Sequence, residues 1–286
     1  MDAQYKEFLS NIAEVDLLSR QVKSTTEREL ELMFKSHQSL VEKGMERHSC
    51  AHHNMFYPSL VSGEAVFYDH MYLDFDRLVK NLFNHRNKHY LWLLAEAFEY
   101  FEDLVELIYA HIGHKEPNFW SLKETKGETP ESLVTKPFDW YLQKSQSNKN
   151  LHAKLDCIRK RFPVLAATEK SNYFGIDLRF TICLIEMLRH IVVHNNGRIM
   201  DISKFVARTF ERAGMANNGN YDSLKLQQIN DFVSSDGKGY RIVMLEIHQS
   251  GTPFHFSRIG AILNWILAYA DYIYGSLIRP TYFSKD

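Results

Sequence analysis

The sequence predicts a mostly α-helical protein with one small β-hairpin near the C-terminus. Long segments carry apolar residues at three- and four-residue spacing, the 286 residues include only 13 Gly and 7 Pro, and two short alternating segments flank the turn-rich sequence SSDGKG. The low Gly and Pro content disfavours an all-β chain, which needs many tight turns. With 45% hydrophobic and 24% charged residues, the composition is that of a globular rather than a disordered protein.

Residues 1–88 are predicted to form an N-terminal helical region. Helical periodicity covers residues 1–44, where Gly44 is the expected stop. Residues 46–63 are expected to form a loop, and a helix is expected from about 64 to 84. The sequence between His85 and His89 is interpreted as a junction between two helices.

Residues 89–286 are predicted to form a helical domain. Its strongest helix signal is at 89–113, where Gly113 occupies the position of a C-terminal cap. The segment 115–150 is interpreted as a long excursion with one short helical turn. The remaining predicted elements are helices at 151–162, 176–194, 201–213 (capped by Asp201 or Ser203) and 256–278, and strands at 224–229 and 240–247.

Charge and cysteine usage restrict the possible partners and compartments. The 34 Lys and Arg against 35 Asp and Glu give a net charge of -1, so nucleic-acid binding would require a local basic patch. Three scattered cysteines do not form a disulfide framework, which indicates a reducing compartment. No signal peptide and no apolar run of about 20 residues is recognisable. We therefore expect a cytoplasmic protein that does not bind membranes.

The predicted helix at 176–194 is apolar on nearly all sides, yet it carries Glu186, Arg189, His190 and His194. At roughly 100° per residue these four side chains fall within a wedge of roughly 140°. Unpaired buried charges are costly, so the wedge must either pair internally or face a cleft. The first alternative is a structural ion cluster. The second is a site in which Arg189 neutralises a phosphate and a histidine moves a proton, as metal-free phosphodiester cleavage requires.

The segment Arg189-His190-Ile191-Val192-Val193-His194, followed by Asn195, Asn196 and Gly197, resembles the R-x4-H signature of the HEPN superfamily. In that superfamily the motif lies near the end of a helix, a polar residue follows the arginine, and the final histidine often precedes Asn and a Gly-containing turn. The resemblance covers roughly residues 89–278 and is specific only at 189–197. It implies a HEPN-like helical bundle with residues 1–88 as an extension.

The resemblance implies a metal-independent endoribonuclease without a cofactor, which works as a homodimer with a composite active site. His194 would be the general base or acid for attack by the ribose 2′-OH, Arg189 would stabilise charge on the phosphate, and His190 would assist. Many members are toxins or effectors of anti-phage defence, so an antitoxin or defence-system partner is also implied. The alternative is a catalytically inactive HEPN-like module that binds a nucleotide or a partner.

Two further groups of residues are assigned to this site. An acidic residue often contacts the motif arginine in the superfamily, and spacing favours Glu186 over Glu96, Glu99 or Glu102. RNA contact is assigned to Asn195 and to a basic patch, for which the alternative is a solvated helix face. The patch consists of Lys154, Arg159, Lys160 and Arg161.

Other chemistry is not predicted. His48, Cys50, His52 and His53 lie close together, but their spacing favours a polar loop over a zinc site. His85 and His89 have the spacing of a helical metal pair, and a helix junction is preferred there. The sequence contains no P-loop and no nucleophile elbow. We therefore expect no metal among the ligands of the site.

Overall fold

A computed structural model describes residues 1–120, 125, 127–148, 150–216, 219–235, 237, 239–248 and 255–278. The prediction of a mostly α-helical protein with a small β component is confirmed. None of the helices in these ranges is long and apolar enough to cross a membrane.

The elements follow one another in a fixed order along the chain. The helices are α1 (Asp2–Glu42), α2 (Phe75–Lys115), α3 (Pro130–Val134), α4 (Phe138–Ser147), α5 (Leu151–Arg161), α6 (Pro163–Lys170), α7 (Leu178–Asn195), α8 (Ile202–Arg212), α9 (Ser223–Asn230) and α10 (Arg258–Ile278). The strands are β1 (Ala51–Pro58), β2 (Ala65–Leu73), β3 (Arg198–Ile199), β4 (Val233–Ser235), β5 (Tyr240–Ile242), β6 (Ile247–His248) and β7 (His255–Phe256). Single 3-10 turns lie at Glu46–His48 and Pro117–Phe119.

The chain divides into two compact units. The larger unit comprises Met1–Leu17 and Leu91–Asp286, and the smaller one is Leu18–Tyr90. Both α1 and α2 therefore contribute to both units. The division differs from the predicted one at 88 and 89, because the first turns of α1 belong to the larger unit. There Tyr5 stacks on Tyr274 with ring centroids 3.9 Å apart, and its hydroxyl donates to Asp271.

The smaller unit contains an antiparallel hairpin of β1 and β2 where a loop and a helix were expected. Ala51 pairs with Leu73 and Pro58 with Ala65, and the register shifts between Met55 and Phe56. The helix predicted from about 64 to 84 is observed only from Phe75 onwards. Residues 65–73 form β2 instead, because Phe67 and Met71 match both a helical and an alternating pattern. The cross-strand pairs, such as Phe56 with Phe67 at 5.5 Å between centroids, are made with residues distant in sequence.

The predicted junction at 85–89 does not exist, since α2 runs unbroken from Phe75 to Lys115. Arg86 is buried here and donates from Nε to the hydroxyl of Tyr90, 3.0 Å away. The polar residues at 85–89 therefore do not interrupt the helix. One of them, Arg86, is buried and bonded within α2. Gly113 also lies within α2, two residues before the helix ends.

The core of the larger unit is built on α2, α7 and α10. The predicted apolar stripe of α2 is fully or nearly fully buried, and it comprises Leu91, Leu94, Phe98, Phe101, Val105 and Ile108. Ten of the 18 residues of α7 are buried. Ile262, Ile266 and Ile273 of α10 are buried as well. The predicted helices at 151–162, 176–194, 201–213 and 256–278 correspond to α5, α7, α8 and α10.

The C-terminal β component differs from the predicted hairpin. Residues 224–229 lie in α9, whose first turn is capped by the Asp222 side chain accepting from the backbone of Leu224 and Lys225. The observed sheet has the strand order β3-β5-β4 and is antiparallel. The predicted strand at 240–247 is split into β5 and β6. Asp236 and Lys238 of the predicted turn lie outside the described residues.

Candidate functional site

Helix α7 places the motif at the boundary between core and solvent. Asp177 caps its start by accepting from the backbone N–H of Phe180, and the middle of the helix is buried. At its end Asn196 adopts a left-handed conformation with φ of 51°. Gly197 follows with φ of 74°, and a Cβ there would lie 2.9 Å from Leu91 of α2. The Asn-Gly sequence after the motif is therefore required by a tight helix end against α2.

Arg189 reaches across to α2. Its Nη2 donates to Glu99 Oε1 at 2.9 Å and lies 4.0 Å from Glu102 Oε2. The Arg189 side chain is 26% exposed, whereas that of Glu99 is 57% exposed. Within the part of the chain described, Arg189 Nε is the single buried side-chain nitrogen or oxygen without a hydrogen-bond partner. The guanidinium thus retains donor capacity beyond its bond to Glu99.

The two motif histidines form a pair on the surface. His190 and His194 are exposed, and their ring centroids are 4.5 Å apart. Burial, together with the positive charges of His194 and Arg212, lowers the pKa of His190 below its ordinary value. The lowered pKa favours the neutral form of His190, the form in which an imidazole accepts a proton. Asn195 is also exposed and is the last residue of α7.

Glu186 does not contact Arg189, contrary to the preferred assignment. Its carboxylate accepts from His152 Nε2 of α5 and lies 2.6 Å from Arg212 Nη1 of α8. Burial alone would raise the pKa of Glu186, but the bonds to His152 and Arg212 outweigh it and lower that pKa. The wedge is split because Arg189 points to α2 while Glu186 points to α5 and α8.

The carboxylates near Arg189 come from α2, as the alternative assignment of Glu99 and Glu102 allowed. Burial raises the pKa of Glu102, and Arg189 only partly offsets this effect. Glu96 instead accepts a hydrogen bond from the hydroxyl of Tyr100 at 3.0 Å. The acidic side of the site is therefore formed by Glu99 and Glu102.

His152 and Arg212 were not predicted as part of this region. His152 also lies 3.6 Å through Nδ1 from the thiol of Cys183. Burial raises the pKa of Cys183 to about 12, so this cysteine is a thiol rather than a nucleophilic thiolate. No local sequence signal connects His152 to Glu186, because 34 residues separate them and packing alone brings them together.

The predicted basic patch is not a surface patch. Lys154 is 1% exposed and lies 2.6 Å from Glu106, and Arg159 is 7% exposed and bonds Glu169 at 2.8 Å. Arg161 is 48% exposed but is paired with Glu116 at 2.7 Å. Lys154 and Arg159 cannot contact RNA because they neutralise carboxylates of the core. Of the predicted patch, Lys160 and Arg161 are exposed.

Among the described residues, no group of three or more His, Cys, Asp or Glu is positioned to hold a metal ion. The chain matches no family model, and neither a curated protein nor a solved structure is detectably similar to it.

The buried pair of Arg159 and Glu169 is expected to be structural. Replacing Arg159 with Ala leaves Glu169, which is 2% exposed, without its guanidinium, and should lower the free energy of unfolding by about 3–5 kcal/mol. The exposed neighbour Lys160 is the matched control, and Lys160→Ala should change it by less than about 0.5 kcal/mol. Urea unfolding followed by circular dichroism measures both. Equal effects of the two variants would contradict this assignment.

The charge of Glu186 is expected to stabilise the fold in a pH-dependent way. Because its folded-state pKa is lowered, its contribution is complete above the unfolded-state value of about 4.3 and is lost as the pH falls through the folded-state pKa. Glu186→Gln keeps the size of the side chain and should cost about 1–3 kcal/mol at pH 7. The difference between the two proteins should shrink below about pH 4. A difference that is the same at pH 7 and at pH 3, measured by urea unfolding, would show that charge is not the cause.

Proposed function

We propose that this protein is a metal-independent endoribonuclease of the HEPN type, acting as a toxin or an effector of anti-phage defence. The observation that carries the proposal is the arrangement at the end of α7. A partly exposed guanidinium held by Glu99 and two adjacent, exposed imidazoles project from a buried helix. Such an arrangement supplies a phosphate ligand and proton-transfer groups in one place.

The chemistry assigned to these side chains is a transesterification. A neutral histidine accepts the proton of the ribose 2′-OH, the 2′ oxygen attacks the adjacent phosphorus, and the bond to the 5′ oxygen breaks. The second imidazole, in its protonated form, donates a proton to the leaving 5′ oxygen. The products are a 2′,3′-cyclic phosphate and a 5′-OH, and no metal or cofactor takes part. The lowered pKa of His190 suits it to the accepting role, and His194 then donates.

Arg189 is assigned to the scissile phosphate. Its bond to Glu99 fixes the direction of the guanidinium. The Arg189 side chain is 26% exposed, and its exposed part, not the buried Nε, is assigned to a phosphate oxygen. Asn195 and the exposed Arg198, which follows the helix end on β3, are assigned to neighbouring RNA groups. Arg198 thus replaces the buried Lys154 and Arg159 as a candidate backbone contact.

A homodimer with a composite site is part of the proposal. Arg189 of α7 bonds Glu99 of α2, and Gly197, just after α7, lies against Leu91 of α2. This part of α2 therefore runs antiparallel to α7. Trp92, two helical turns before Glu99 on the same face, is therefore placed towards the end of α7. Trp92, Val193 and Met200 are 61%, 38% and 86% exposed, respectively. Large exposed apolar side chains near the motif are typical of surfaces that receive a partner, here a second copy.

Cleavage should depend on the motif and not on a metal. Arg189→Ala and His194→Ala should each lower the cleavage rate of single-stranded RNA about 100-fold or more, since phosphate stabilisation and proton transfer are each removed. Because Glu99 is 57% exposed and Glu102 is 29% exposed, the loss of Arg189 leaves no fully buried carboxylate and should change stability by about 1 kcal/mol. Cleavage and urea unfolding are measured on the same preparations.

His114→Ala is the matched control, because His114 is exposed at the other end of α2. It should cleave RNA at the wild-type rate. Cleavage that continues in EDTA and yields a cyclic phosphate supports the proposed mechanism. No cleavage by the wild type, together with nucleotide or partner binding that requires Arg189, would instead establish the inactive binding module.

A further inference from the structure

One face of the hairpin carries a polar cluster that has no role in the proposed nuclease site. His52 Nδ1 lies 3.4 Å from His70 Nε2, across the strand pair. His70 Nδ1 lies 2.7 Å from Asn54 Oδ1, and Cys50 Sγ lies 3.8 Å from His52 Nε2. We call Cys50, His52, Asn54 and His70 the hairpin cluster. Both histidines are exposed, so a solute can reach them.

The contacts of the two histidines with Asn54 and Cys50 determine which ring nitrogens carry lone pairs. The amide oxygen of Asn54 can only accept, so His70 Nδ1 carries the proton and His70 Nε2 has a lone pair. When His52 Nε2–H donates to Cys50 Sγ, His52 Nδ1 also has a lone pair. The two lone-pair nitrogens then face each other. This is the arrangement of metal-binding histidines, whose other ring nitrogen is bound to an orienting group.

The separation of the two nitrogens fits a single metal ion. Nitrogens bound to a tetrahedral zinc ion at about 2.0–2.1 Å are roughly 3.3–3.4 Å apart, which matches the distance between His52 and His70.

We propose that His52 and His70 form a two-histidine site for a borderline divalent metal ion, Zn²⁺ or Cu²⁺, the ions that imidazole ligands favour. Asn54 and Cys50 orient the two rings, and water completes the coordination. The site has two protein ligands, in agreement with the absence of larger ligand groups among the described residues. It differs from a site formed by His48, Cys50, His52 and His53, because strand alternation places His53, opposite Met71, on the other face.

Zn²⁺ titration of the full chain by calorimetry tests the proposal, with CuCl2 as a second probe. The wild type should show one equivalent tighter than its background of weaker histidine binding. His52→Gln and His70→Gln should each lose that equivalent, and Asn54→Ala should weaken it about tenfold by releasing the His70 ring.

His53→Ala is the matched control, since it removes a neighbouring exposed histidine from the opposite face. It should keep the tight equivalent and the rise in melting temperature that Zn²⁺ causes in the wild type. Unchanged binding in both His52→Gln and His70→Gln would overturn the proposal. Equal loss in His53→Ala would overturn it as well, because binding would then be adventitious. RNA cleavage in EDTA is unaffected by either result, so this test is independent of the nuclease proposal.

Discussion

Burial of α7 is the constraint from which the arrangement of the larger unit follows. A helix with ten buried residues among 18 leaves few directions in which an ionised side chain can extend. Each such side chain must therefore find a partner on a neighbouring helix, or lie beyond the buried part. Glu186 finds partners in His152 and Arg212, whereas His190 and His194 lie beyond the buried part of the helix. The motif histidines are exposed because they lie where the helix leaves the core.

Arg189 is intermediate between these two cases. Its bond to Glu99 of α2 holds the guanidinium at the edge of the core, while Nε remains without a partner. The guanidinium is held in a fixed direction and its side chain is 26% exposed, which are properties expected of a preorganised phosphate ligand. Arg159, by contrast, is saturated by Glu169, Asp156 and the hydroxyl of Tyr269, and this saturation marks it as structural.

The smaller unit presents a different problem, because a two-stranded hairpin is marginally stable on its own in water. Here aromatic pairs across the strands, such as Phe56 with Phe67, support it. A metal ion between His52 and His70 would link β1 to β2 at a second point and stabilise the same pairing. Metal binding at the proposed site would therefore stabilise the smaller unit.

The sequence by itself determined the elements whose signals are local. The apolar stripe of α2 and the buried character of α7 follow from spacing rules and are observed. Capping rules offered Asp201 or Ser203 for the start of α8, and Asp201 is the observed cap. The tertiary structure decided the remainder, because it depends on residues far apart in the chain. Strand pairing turned residues 65–73 from a helix prediction into β2, and packing chose Glu99 rather than Glu186 for Arg189. Packing likewise buried Lys154 and Arg159 against carboxylates of other helices. The sequence could not show this, because a charged residue gives the same signal whether it faces solvent or a buried counter-ion.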